Sequence, residues 1–132
     1  MTRLVIGLGF RDQATAQSIG EVLRRVVEHA TPPGATTSLA VVAGKAAHPA
    51  LLAAVETSRY HLETITANAM RQADSRTATR SERVIRQRGV GSVCEATALA
   101  AAGPNGRLVV TRMVSADHTA TAAAAVTEDS AP

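Results

Sequence analysis

The 132-residue sequence has no tryptophan, one tyrosine (Tyr60), one phenylalanine (Phe10), one cysteine (Cys94) and one lysine (Lys45). Each scarcity removes a class of function. Aromatics at 2% leave no stacking platform of the kind that grips single-stranded nucleic acid. A single cysteine excludes an internal disulfide and any zinc site built on several cysteines. No apolar run reaches the ~18 residues that span a bilayer. The apolar start, Met1 to Gly9, gives way at once to Phe10-Arg11-Asp12 and lacks the layout of a signal peptide. The expected address is cytoplasmic, with no membrane association.

What is present is an ordinary globular composition, 45% apolar and 19% charged, which argues against disorder throughout. The length suits one domain, expected over residues 1–126, with 127–132 as a disordered tail. Thirteen arginines and the one lysine face eleven acids, for a net charge of +3. So marked an Arg excess, beside 27 alanines, fits a GC-rich coding bias. It also fits a demand for planar cations that meet carboxylate or phosphate bidentately.

Leu4-Val5-Ile6 reads as a buried strand closed by a tight turn at Gly7-Leu8-Gly9. From Thr15 to Ala30, Ala16, Ile19, Leu23, Val26, Val27 and Ala30 share one helical face, and Thr15 is placed to cap it. Thr31-Pro32-Pro33-Gly34 ends that helix. Leu39 to Ala43 is a second unalternating apolar run, as in strands covered on both faces. Pro49 opens a short helix carrying Leu51, Leu52 and Val55, and Tyr60 to Ile65 alternates as a further strand. Between Arg71 and Arg88, six arginines stand against Asp74 and Glu82, an exposed and flexible connection by composition. Ser92 and Glu95 have capping-box spacing ahead of Val93, Ala96, Leu99 and Ala100; Gly103 to Gly106 stops that helix. Leu108 to Val110 is another strand, while Thr119 to Val126 leaves helix and strand open. The element order is α/β: three layers, with a mixed, mostly parallel sheet of about five strands and helices on both faces. Functional groups in such folds gather at the carboxyl edge of the sheet.

Few residues offer chemistry on spacing alone. Gly7-Leu8-Gly9 lacks the third glycine of a dinucleotide fingerprint. Gly91-Ser92 opens a helix, so it reads either as an anion site built from free N–H groups or as a cap already satisfied by Ser92 and Glu95. Ser92 has no nucleophile-elbow glycine after it, Cys94 reads as a buried inert thiol, and His29, His48, His61 and His118 show no metal spacing. No catalytic residue, metal or cofactor is indicated. The Arg-rich stretch reads as a solvated loop, a grip on phosphates, or a grip on a polycarboxylate.

Taken in order, several blocks resemble one family. They are Gly7-Leu8-Gly9-Phe10-Arg11, Lys45-Ala46-Ala47-His48-Pro49-Ala50-Leu51, Ser81-Glu82-Arg83-Val84, Gly89-Val90-Gly91-Ser92-Val93-Cys94-Glu95-Ala96 and Leu108-Val109-Val110-Thr111-Arg112. Together they look like the CobE / CbiG C-terminal domain family of cobalamin (vitamin B12) biosynthesis, across about Leu4 to Val126. The chain departs from that pattern at His48, Cys94 and Arg112, where Glu, Ala and Lys commonly stand. The resemblance implies a protein that binds a precorrin or corrinoid intermediate and assists its processing or transfer. Its ligand-binding residues would be Gly7, Gly9, Arg11, Lys45, Gly91, Ser92, Glu95 and Arg112, with the Arg-rich stretch closing as a lid. Other cobalamin-pathway enzymes and a homodimer are further expected partners. One alternative is a hydrolase that opens a precorrin lactone with release of acetaldehyde, as the longer CbiG proteins do. Those carry an N-terminal portion that this chain is not expected to have. A second alternative is a basic nucleic-acid-binding module.

Overall fold

The computed structural model describes residues 2–30, 35–82, 85–86 and 91–128. The turn at 31–34, the expected family positions Arg83, Val84, Gly89 and Val90, and the last four residues lie outside that set. Strand β1 (Thr2–Phe10) leads to helix α1 (Ala16–Ala30), then β2 (Thr36–Val42), a 3-10 turn (Ala43–Lys45) and α2 (Pro49–Ser58). Next come β3 (His61–Ile65), α3 (Ala67–Gln72), a second 3-10 turn (Asp74–Arg76), α4 (Val93–Ala102), β4 (Arg107–Val114) and β5 (Ala120–Glu128).

The sheet order is β3-β2-β1-β5-β4. β1, β2 and β3 are mutually parallel, while β5 is antiparallel to both β1 and β4. Four strands therefore run one way and β5 alone is reversed. The three layers of the expected α/β class are present, with α1 and α2 on one face and α3 and α4 on the other.

The two faces follow from strand alternation. Leu4, Ile6 and Leu8 of β1 and Leu39 and Val41 of β2 meet Ile19, Val22, Leu23 and Val26 of α1 and Leu51 of α2. Full burial of each such side chain contributes about 2 kcal/mol. On the opposite face Val5, Ala40, Val42 and Ala125 meet Met70 of α3 and Ala98, Leu99 and Ala102 of α4. Here the packing is set by small residues. A Cβ on Gly7 would collide with the Cys94 carbonyl oxygen and stand 2.6 Å from the Ala98 amide, so α4 lies directly on the β1 backbone.

Local signals explain most element ends. Thr15 Oγ1 accepts the Ser18 amide at 3.1 Å, His48 Nδ1 accepts the Ala50 amide at 3.1 Å, and Thr66 Oγ1 accepts the Ala69 amide at 3.0 Å. α4 stops at Gly103, whose φ of 92° suits glycine.

Three expectations are corrected. Gly7-Leu8-Gly9 is not a turn: β1 continues through it to Phe10, because glycine is needed there for the close approach of α4 rather than for a positive φ. The segment left open between helix and strand, Thr119 to Val126, forms most of β5, a central strand buried between helix layers, which overrides the helical propensity of alanine. Thr127 and Glu128 belong to β5 and pair with Arg3 and Thr2 instead of starting a tail.

Candidate ligand-binding rim

Because β1, β2 and β4 run in one direction, their carboxyl ends share one edge of the sheet. Phe10 pairs with Ala120, Gly9 with Thr121, and Val114 with Thr121, which sets these residues level. Arg11 leaves β1 at this edge, its amide donating to the Thr119 carbonyl at 2.8 Å. Its side chain is exposed and carries no ion pair among the described residues. Lys45, after β2, lies 5.5 Å over the Phe10 ring and meets Asp12 at 2.7 Å. Asp12 is 92% exposed, so this pair contributes about 1 kcal/mol at most. His48 packs edge-on against Phe10 with ring centroids 5.1 Å apart. Its Nδ1 accepts from Ala50, so Nε2 carries the proton and donates to the Asp12 carbonyl at 2.8 Å. His48 therefore serves as the cap of α2.

On the other face of the same edge stands the head of α4. Ser92 Oγ accepts the Glu95 amide at 3.4 Å, which is one half of the expected capping box. The other half is absent, because the Glu95 carboxylate turns elsewhere. Glu95 is fully buried; its Oε1 accepts the amides of Ala78 (2.8 Å) and Thr79 (2.7 Å), and its Oε2 accepts Thr79 Oγ1 and the Arg112 amide, both at 2.8 Å. Burial works against the charge, but these donors, led by the Thr79 and Arg112 amides, outweigh it and hold the carboxyl below its ordinary range. The Arg112 amide is free to reach Glu95 because β4 is irregular there. Three steps along β4, from Val110 to Met113, span two on β5, from Ala124 to Ala122. The Arg112 side chain is half-buried and, like Arg11, has no ion pair among the described residues.

The stretch expected to be a bare connection is tied down over its first part. Arg76 donates to the carbonyls of Gly103 (3.1 Å), Gly106 (3.2 Å) and Leu99 (3.4 Å), so a cation sits on the carbonyl end of α4. Asp74 Oδ1 accepts the Gly91 amide at 2.7 Å and pairs with Arg80 at 3.1 Å. The Gly91 amide chiefly, opposed by partial burial and helped by Arg80, holds the Asp74 carboxyl below its ordinary range. The Ser81 amide donates to the Gly91 carbonyl at 2.9 Å. Residues 74–81 thus lie as a strap along α4, with the Arg76 side chain at its carbonyl end and Asp74 and Ser81 tied to Gly91 at its head.

Of the eight expected site residues, Gly9, Arg11, Ser92 and Arg112 gather around the edge, with Lys45 on its α1–α2 side. The Gly91 amide is there too but is already taken by Asp74. Gly7 lies buried beneath α4, and Glu95 is buried with both oxygens filled, so neither presents a group at the surface. Cys94 is buried; burial pushes its thiol up, against the pull of the Ser92 hydroxyl 3.5 Å away. Neither it nor Ser92 is set up as a nucleophile. Among the described residues no group of His, Cys, Asp and Glu could hold a metal ion, and no helix is long and apolar enough to cross a membrane.

Sequence reasoning missed Asp74, Thr79 and Asp117. Asp117, in the β4–β5 turn, accepts from Ser18 (2.5 Å), Ser115 (2.7 Å) and the Thr119 hydroxyl (2.8 Å) and amide (3.1 Å), which hold its carboxyl far below the ordinary range. It fastens this turn to the start of α1. A furrow of about 390 Å³ runs between α1 and α2, walled by Leu23, Val27 and Ala54 and lipped by Arg24 and Glu28. It is on the opposite side of the sheet from the α4 head and holds none of the expected site residues.

A family model described as Cobalamin synthesis G C-terminus matches residues 4–125. Two solved structures are similar. One is CobE, a protein from the cobalamin (vitamin B12) biosynthetic pathway, at 24% identity and a TM-score of 0.82, covering 98% of this chain and 94% of that one. The other is cobalamin biosynthesis protein chiG from Agrobacterium tumefaciens str. C58, at 33% identity and a TM-score of 0.70, covering 96% of this chain and 99% of that one. No curated protein matches the chain.

Proposed function

From the premise that this chain belongs to the cobalamin synthesis G C-terminus family, and so to cobalamin biosynthesis, we propose that it binds a precorrin or corrinoid intermediate at the carboxyl rim and assists its processing or hand-over. Such a macrocycle carries a fringe of acetate and propionate arms. A protein that holds it needs several separated cations along one open edge. The observation that carries this reading is the pair Arg11 and Arg112. Arg11 follows Gly9 by two residues, and Arg112 stands two residues before Val114, in register with Thr121 beside Gly9. Neither side chain has an ion pair among the described residues, and what sets the two apart from other arginines without one is their place at the carboxyl rim. Lys45 joins them by exchanging the exposed Asp12 for a ligand carboxylate. Each exposed pair contributes about 1 kcal/mol or less, so affinity comes from several acting together and falls with added salt.

The hydrolase alternative lacks support at the rim, where Ser92 and His48 serve as caps and Cys94 is buried. The test is a titration with cobyrinic acid, a corrin whose acetate and propionate arms are free. Binding is expected to weaken several-fold in Arg11→Ala and in Arg112→Ala. Affinity no better than that of an unrelated basic protein, or unchanged in both variants, defeats the reading. Acetaldehyde formed with turnover would replace it with the hydrolase.

A further inference from the structure

Two donors face one point beside the rim: the Gly91 amide, at the head of α4, and the Arg80 guanidinium. Both are filled by one carboxylate, that of Asp74, at 2.7 Å to the amide and 3.1 Å to Arg80. This pairing of a fixed N–H with a guanidinium is the donor set a ligand carboxylate would use.

The two ends of the strap are held very differently. At residues 78–79 the anchor is Glu95, fully buried and holding two backbone amides and a hydroxyl of the strap. At Asp74 the contact is partly open on the Arg80 side, with the Asp74 side chain 27% exposed and that of Arg80 53%, while Gly91 behind it is buried. Solvent reaches the Asp74 contact, and so can a competing carboxylate. The Glu95 anchor stays shut, because breaking it leaves a buried charge without donors. Glu95 Oε2 also holds the Arg112 amide, so the strap and one of the rim arginines share a single post.

We propose that Arg80 and the Gly91 amide form a carboxylate subsite of the rim, which the protein fills itself with Asp74, and that a ligand carboxylate enters by displacing Asp74. This rests on the rim reading above and deepens it: a polycarboxylate gains two donors when Asp74 leaves, without a net change in the charge facing them. Asp74 acts as an intramolecular competitor. If it occupies the subsite ten times out of eleven, removing it tightens binding about tenfold.

The experiment is a cobyrinic acid titration of the whole chain as wild type, Asp74→Asn, Asp74→Ala and Arg80→Gln, with a thermal melt of each. A purely structural Asp74–Arg80 clasp moves all three variants in the same direction, since each loosens the strap. The subsite moves them oppositely: the Asp74 variants bind up to about tenfold tighter, while Arg80→Gln binds several-fold weaker, although all three melt lower. Asp74 variants that bind no tighter than wild type, or an Arg80→Gln that binds as well as they do, overturn the subsite and leave the rim reading standing. If neither wild type nor the Asp74 variants bind the corrinoid, the rim reading fails and the subsite with it.

Discussion

The two faces of this sheet are built by different physics. Under α1 and α2 the core is made of large aliphatics, Leu, Ile and Val, and cohesion comes from buried area. Under α4 the strands offer Gly7, Ala40, Ala123 and Ala125, and the helix comes close enough to rest on backbone atoms. That side also carries the buried polar groups Ser38, Ser92 and Glu95, which depend on the placing of hydrogen bonds, and a buried Thr97 hydroxyl with no partner among the described residues. On the aliphatic face a change of volume costs buried area and packing; on the close-approach face an added atom meets backbone, and a lost donor strands a buried carboxylate. The rim expected to bind ligand sits at the end of the intolerant face, where the donors are most rigidly held.

The sharpest way to break this contrast is to add one methyl group to each side. Gly7→Ala drives a Cβ into the Cys94 carbonyl, a backbone atom that cannot give way without lifting α4. We expect a loss of about 3 kcal/mol or more in urea-unfolding stability; a loss under about 1 kcal/mol would mean that α4 does not press on β1 as described. The next largest effect is Glu95→Gln, which faces an amide N–H₂ towards donors that need an acceptor and should cost about 2 to 3 kcal/mol.

The same variant tests the charge. The folded-state pKa of Glu95 is depressed, so its contribution is complete above the ordinary carboxylate value of about 4 and fades as the pH falls through the lower folded value. Asp74 and Asp117 act with the same sign. Wild-type stability is therefore expected to fall on acidification below about pH 5, and Glu95→Gln to fall less steeply; parallel acid limbs would remove Glu95 from the account. The smallest effect is of opposite sign and on the other face. A Cβ on Gly20, inside α1, meets nothing within 4 Å, so Gly20→Ala should stabilise by about 1 kcal/mol through helix propensity alone.

The same contrast explains what could be read in the sequence. The α1–α2 face announces itself through residue size: Leu4 to Ile6, Leu39 to Ala43 and the 3.6-residue period from Ala16 to Ala30 all mark elements that are present. Caps were legible at Thr15 and Ser92 because their partners lie three residues away. The α4 face hides itself. A strand of Ala120 to Ala125 carries little strand signal beyond the alternation of Thr119 and Thr121, since its alanines serve the spacing between layers. Gly7 looks like a turn because the helix that requires it lies some 90 positions later, at Cys94 and Ala98. The true partners of Glu95 are 16 and 17 residues away in both directions, beyond the reach of any local spacing rule. Of the proposed rim, Arg11, Lys45 and Arg112 follow apolar runs and could be named from the sequence, whereas Asp74, whose partner Gly91 lies 17 residues on, could not.

The placement of β5 has a consequence for how the chain is made. The first strand and the last lie side by side at the centre of the sheet, Thr2 opposite Glu128 and Phe10 opposite Ala120. During synthesis β2 can pair one edge of β1 early, but the other edge waits for a partner more than a hundred codons further along. Joining β5 to β1 is therefore a long-range pairing of the kind that forms slowly, and until it forms one edge of β1 stays open.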